Sequence, residues 1–274
     1  MEARLQALKE ARIDMQVITF TAPGTLIETP SRSAELSSKV NDHFAEIQRK
    51  YPKQFPALAT LPLNNPKICA SELSRAIDQL ELKGACIYSN ANGIPLSDPQ
   101  FWPMYEVAND HKMVIFIHPT FPLGVEAMKE YMLMPAVGFL MDTTLATANL
   151  LFSGVVERFP NIRWVLGHLG GAVPYLAERF DRCFEAFPEC RINLKSHPTN
   201  HLKTKFYYDT VNFDVDALNF AVQFAGAEHI LAGSDYPHQI GSLEKMVRSI
   251  NLMDLTTKDR TDILGENTIR LLGL

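Results

Sequence analysis

Three apolar runs in this 274-residue chain stop abruptly at a polar side chain, and that pattern restricts the fold more than any other feature of the sequence. They are MVIFIHP (113–119), WVLGHLGG (164–171) and HILAGSDYPH (229–238). Each carries β-branched and apolar residues up to a His or an Asp, and small or turn-forming residues follow. A parallel strand covered on both faces reads as such a continuous apolar run. An α/β barrel gathers its chemistry at the C-terminal ends of its strands. His118, His168 and Asp235 are therefore expected to converge on one site built from three distant segments. Two imidazoles and a carboxylate suit metal binding and proton transfer.

The remainder of the chain alternates in the same sense. Helical periodicity over 2–12 leads into a strand-like MQVITF (15–20). Further strands are expected at 57–61, 84–89, 113–117, 162–167, 205–210 and 229–234. Helices are expected over 34–51, where Leu36, Val40, Phe44 and Ile47 recur at helical spacing, and over 68–81, 100–111, 139–158, 172–187, 214–226, 242–252 and 256–272. Strand–helix alternation of this kind predicts an α/β fold, a (β/α)8 barrel of the TIM type. No linker or change of composition divides the chain, so residues 1–274 are read as one barrel domain. Seven strands are one short of a closed barrel. The chain opens on a helix, so the first strand is expected to be missing or replaced.

Composition narrows the functional classes. Hydrophobic residues make up 46% of the chain, enough for a large core. A net charge of -5 and a pI near 5.9 argue against nucleic acid as a partner, because phosphate backbones are held by basic patches. No apolar run reaches the ~20 residues of a membrane span. The charged opening MEARLQALKEA is unlike a secretion signal. Cys69, Cys86, Cys183 and Cys190 form no CxxC pair and read as reduced thiols of a cytoplasmic protein. No GxGxxG, Walker or GxSxG motif occurs, so nucleotide binding and serine-hydrolase chemistry lack support.

Every candidate has a plainer structural reading. His118 and His168 are readable as core or capping histidines, and Asp235 as an N-cap or Asx-turn residue. Arg179 suits a surface ion pair with Glu178 or Asp181 as well as anion recognition. His197 and His201 form an i, i+4 pair, but Pro198 argues against the helix such a metal pair needs. His43, His111 and His229 read as surface or helix-end residues. His238 is near enough to Asp235 to line a site or to serve a turn. Phe121, Met128, Tyr131, Met132 and Met134 fit a lid over an apolar substrate or packing against a second subunit, and both readings stay open.

Taken together, RLQALKEARIDMQVITF, ATLPL, LKGACIYSNANGIPLSDPQFWPMYEVA, IFIHP, LGHLGGAVPYLAERFDR and ILAGSDYPH resemble the amidohydrolase superfamily. Within it they are most similar to the branch of the aminocarboxymuconate-semialdehyde, resorcylate and carboxyvanillate decarboxylases. The resemblance implies a metal-ligand role for His118, a metal-binding and proton-handling role for Asp235, and proton transfer by His168. It implies that Arg179 holds a substrate carboxylate across a homodimer interface. It implies a divalent metal, zinc before manganese, and a small-molecule carboxylate as partner, with neither nucleic acid nor membrane. The chain departs from the family in one respect. Members begin with a strand carrying a His-x-His or Glu-x-His pair, whereas residues 1–20 contain no histidine. The chain is expected either to continue upstream of Met1 or to have a damaged metal site that holds metal weakly or not at all, since His118 and Asp235 alone make a poor zinc site. The function expected is metal-dependent, non-oxidative decarboxylation of an aromatic or unsaturated carboxylic acid. The alternatives are a lactone or amide hydrolase on the same barrel and an inactive, metal-free barrel.

Overall fold

The computed structural model describes residues 1–274. Its strands are β1 (Ala59–Thr60), β2 (Ala85–Tyr88), β3 (Asn90–Ala91), β4 (Ile94–Pro95), β5 (Val114–His118), β6 (Arg163–Leu166), β7 (Phe206–Asp209) and β8 (Ile230–Leu231). Six of them form one parallel sheet in the order β1-β2-β5-β6-β7-β8, and β3 and β4 form a small antiparallel pair. In this main sheet each strand's neighbour in space is the next one in sequence, the winding of a TIM-type α/β barrel wall. MQVITF, expected as a strand, is not one. It makes a single parallel bridge, Ile18 to Ala57, beside β1. Only Ile18 of that stretch is buried, and a segment paired along one edge alone gains too little burial to extend its ladder.

The helices are α1 (Glu2–Ala11), α2 (Pro30–Lys50), α3 (Pro66–Asp78), α4 (Trp102–Asp110), α5 (Phe139–Phe152), α6 (Val155–Arg158), α7 (Val173–Ala186), α8 (Pro198–Thr204), α9 (Val215–Ala225), α10 (Leu243–Leu252), α11 (Thr257–Thr261) and α12 (Asn267–Leu272). Side-chain caps start several of them, as where Asp214 accepts from Ala217 N at 3.0 Å and Ser242 accepts from Lys245 N at 3.1 Å. Two expected helices are broken. The 139–158 segment divides at Gly154, whose φ is 78°. A Cβ there would stand 2.3 Å from the Asn193 carbonyl oxygen. The 256–272 segment becomes α11, a π-helical turn over Asp262–Glu266, and α12.

Alternation along the strands sorts the core into two. Ile115, Ile117, Trp164, Leu166, Phe206 and Tyr208 join a cluster of 52 buried residues shared with the helices. Val114, Val165 and Leu231 form a second cluster with Leu271 of α12, and Phe116 and Tyr207 pack against it. This second face is the inner face of the wall. Following it from Val114 through Phe116 along β5 leads to His118, and β6, β7 and β8 place Gly167, Asp209 and Gly233 beyond their own inner residues.

Candidate active site at the strand ends

His118 is the last residue of β5, His168 follows β6 and Asp235 lies four residues beyond β8. The structure brings them together: one ligand atom from each lies within 4.8 Å of the other two. The rings of His118 and His168 are 5.3 Å apart, edge to face, and His168 stacks on Phe139 at 6.5 Å. His168 Nε2 stands 4.0 Å from Asp235 Oδ1.

The backbone at this site is unusual. His168, Leu169 and Asp235 adopt φ of 54°, 56° and 53°, a region non-glycine residues seldom enter. Gly170 and Gly171 continue the turn with φ of 73° and 62°. A Cβ on Gly171 would meet the Leu140 carbonyl oxygen at 2.1 Å. The GHLGG sequence thus lets the chain turn sharply off β6 while lying flush against α5.

One hydrogen bond and deep burial set the chemistry of the two imidazoles. His118 Nδ1 lies 2.7 Å from the Pro119 carbonyl oxygen, which can only accept, so the proton sits on Nδ1 and the Nε2 lone pair is left for a ligand. Burial, reinforced by the neighbouring His168, pulls the His118 pKa down to about 3, so the ring is neutral at physiological pH. Burial also lowers the His168 pKa, against the attraction of Asp235. Its Nδ1 is buried with no hydrogen-bond partner. Burial raises Asp235, opposed by the charges of His168 and His238. The free Nε2 of His118 and the Asp235 carboxylate are donors of the kind a divalent ion takes, and the neutral His168 ring, with its orphaned nitrogen, stands beside them.

The remaining candidates fall elsewhere. Arg179 is exposed on α7 and forms no ion pair with Glu178, Asp181 or any other carboxylate of its own chain within 4.0 Å. His238 serves the turn: its backbone N–H closes on the Asp235 carbonyl oxygen at 2.9 Å, while its exposed ring places Nε2 3.0 Å from Thr21 Oγ1. Pro198 starts α8 rather than preventing it, because proline suits the first helical position. His197 is the residue outside that helix and faces Asp181 at 3.7 Å, while His201 bonds Ser196 and Glu157. The 119–138 segment holds a 3₁₀ turn over Val125–Met128 and a π turn over Met134–Gly138. It leaves Tyr131 and Met132 86% and 71% exposed.

Sequence reading missed a buried polar clamp beside the site. Asp142 of α5 accepts from Ser89 Oγ and from Asn90 Nδ2, the latter at 2.9 Å. Ser89 Oγ also accepts from Thr120 N at 3.0 Å, and Ser89 N donates to the His118 carbonyl oxygen at 2.9 Å. The clamp ties the loop after β2 to the loop after β5. The signal available was a lone carboxylate inside the apolar helix FLMDTTLATANLLF.

The family model described as amidohydrolase matches residues 1–274. The chain belongs to the amidohydrolase family. This amidohydrolase is 33% identical over 278 residues to 2-amino-3-carboxymuconate-6-semialdehyde decarboxylase of Dictyostelium discoideum, covering 100% of this chain and 76% of that protein. Among solved structures it is similar to 2,6-dihydroxybenzoate decarboxylase from Rhizobium, with a TM-score of 0.92, 25% identity, and coverage of 100% of this chain and 88% of that one. It is likewise similar to 5-carboxyvanillate decarboxylase from Sphingomonas paucimobilis, with a TM-score of 0.90, 26% identity, and coverage of 99% and 82%. These likenesses agree with the six-stranded parallel sheet, and the amidohydrolase has an α/β fold of the TIM-barrel type.

Proposed function

We propose that this amidohydrolase is a metal-dependent, non-oxidative decarboxylase of an aromatic or unsaturated carboxylic acid. The observation that carries the reading is the approach of His118, His168 and Asp235 within 4.8 Å at the strand ends, in a family whose similar members include decarboxylases. Loss of CO₂ leaves an electron pair on carbon, and that carbon must gain a proton. A divalent ion held by His118 Nε2 and the Asp235 carboxylate would supply positive charge that draws electrons away from the reacting carbon. Zinc is the first choice from the imidazole and carboxylate donors, with manganese the alternative. His168 and Asp235, 4.0 Å apart, relay the incoming proton in our reading. They deliver it to the carbon that carried the carboxylate. Phe139, stacked on His168, keeps that ring in place and excludes water from one side.

Arg179 takes the substrate carboxylate in this reading, from the facing subunit of a homodimer. Its exposure without an ion-pair partner, one helical turn after Tyr175 at 79% exposure, supports this. A planar guanidinium grips a carboxylate through two parallel hydrogen bonds. The four unpaired cysteines fit a reducing cytoplasmic setting.

The test is CO₂ release from a panel of hydroxybenzoates and unsaturated acids by the metal-reconstituted protein, with metal content measured in parallel. His118→Ala and Asp235→Asn should each lose the metal. His168→Gln should retain metal and lose kcat by roughly 10²-fold or more, the size of a general acid–base contribution. A reconstituted protein that releases no CO₂ from any member, yet opens a lactone, would overturn the decarboxylase reading.

A further inference from the structure

The opposite end of the sheet holds a partly polar cavity of about 280 Å³. Arg163 begins β6, Tyr207 is the second residue of β7 and His229 immediately precedes β8, so all three lie at strand starts while the candidate active site lies past strand ends. α12 closes over this end. Asn267 Nδ2 donates to the carbonyl oxygens of Ala227 and Ile230, both at 2.8 Å, and Leu271 packs into the inner cluster. Arg270 of the same helix reaches the cavity, and so does Glu228.

Arg163 is the anomaly. Its Nη2 donates to the Lys112 carbonyl oxygen at 2.6 Å, but its Nε is buried with no hydrogen-bond partner. No carboxylate lies within 4.0 Å of the guanidinium. A partly buried cation without a counter-charge is costly to keep folded. Arg270 is balanced by Asp262 at 3.0 Å and held by Asn267 Oδ1 at 2.6 Å. Burial, with the Glu228 charge, raises the Tyr207 pKa and keeps its hydroxyl neutral, against the pull of the Arg163 and Arg270 guanidiniums. His229 stacks on Tyr207 at 4.6 Å, and its Nδ1 bonds the Phe206 carbonyl oxygen at 2.8 Å. That bond fixes the imidazole and turns Nε2 away from the strand. Glu228 is the one opposing charge in the lining, and its carboxylate folds back over Gly226, where an added Cβ would stand 2.5 Å from Glu228 Oε2.

We propose that this cavity is a binding site for a small oxyanion, with Arg163 as its main charge, Arg270 as its second, and the Tyr207 hydroxyl as a neutral donor. Guanidiniums present planar donor pairs suited to phosphate and carboxylate oxygens, and 280 Å³ holds an anion of phosphate or malonate size. The site is separate from the decarboxylase reading and does not rest on it.

Calorimetric titration of the intact chain tests this, with inorganic phosphate in one arm and malonate in the other. Saturable one-to-one binding is expected in at least one arm at millimolar concentration or below, and the tighter arm identifies the anion class. Arg163→Met and Arg270→Met should each weaken it about tenfold or more, the loss of one charge-assisted contact. His118→Ala and Arg179→Met should leave it unchanged, which separates this site from anion capture at the strand ends. Circular dichroism checks each variant. If Arg163→Met does not fold, Tyr207→Phe keeps the ring, removes the hydroxyl, and should weaken binding severalfold. Absence of saturable binding in both arms would overturn the proposal. So would binding that survives Arg163→Met and Arg270→Met, or binding that Arg179→Met or His118→Ala abolishes.

Discussion

Gly171 carries much of the geometry of the strand-end site. Its φ of 62° and the 2.1 Å that would separate an added Cβ from the Leu140 oxygen leave no room for a side chain. Gly171→Ala should destabilise the protein by about 2–4 kcal/mol, since both backbone strain and a backbone clash are introduced. Gly170→Ala meets the Tyr208 ring at 2.7 Å, and a ring can tilt. It should cost less, about 1–3 kcal/mol, with the order of the two checked by urea midpoints. At this scale the convergence of His118, His168 and Asp235 was legible, because each side chain terminates an apolar run and the end of a run marks the end of a strand. Asp142, Ser89 and Asn90 were not legible as a group. Their meeting depends on α5 crossing over two loops, and no spacing in the sequence encodes that crossing.

Among the elements, α5 is the one whose buried carboxylate ties two separate loops together. Asp142→Ala would leave Ser89 Oγ and Asn90 Nδ2 without their shared acceptor in a buried setting. The expected cost is about 2–4 kcal/mol, and it should fall on the loops that flank His118. Amide exchange should show faster opening around Ser89 and Thr120 in the variant than around β7. On α2, hydrogen bonds from Lys39 and then Arg32 hold the Glu35 carboxyl down to about 2. A lowered folded pKa stabilises above the unfolded value of about 4.3 and is lost as pH falls toward 2. The melting-temperature advantage of the wild type over Glu35→Gln should therefore shrink between pH 5 and 2, and added salt should shrink it further, since the triad is exposed. Helix positions were readable from periodicity and caps, whereas the breaks at Gly154 and Asp262 were not. The break at Gly154 reflects what lies against the helix, the backbone of Asn193, and a tertiary neighbour leaves no periodic trace.

For the whole molecule, the parallel order β1-β2-β5-β6-β7-β8 spreads the three strand-end residues across four of the six strands, from β5 to β8. A divalent ion that binds only the assembled set favours the folded state by mass action, so chelation should lower the melting temperature of the metal-loaded protein, and His118→Ala should abolish that difference. The same spacing has a consequence during synthesis. His118, His168 and Asp235 leave the ribosome in turn, and at roughly 5–20 residues per second the carboxylate follows the first imidazole by on the order of ten seconds. Through that interval a nascent chain carries first one and then both imidazoles without their acid partner. The carboxylate arrives only with β8, the last strand of the wall. If the site holds a divalent ion as proposed, metal acquisition is a late event in the life of each new chain, coming after most of the wall has been laid down.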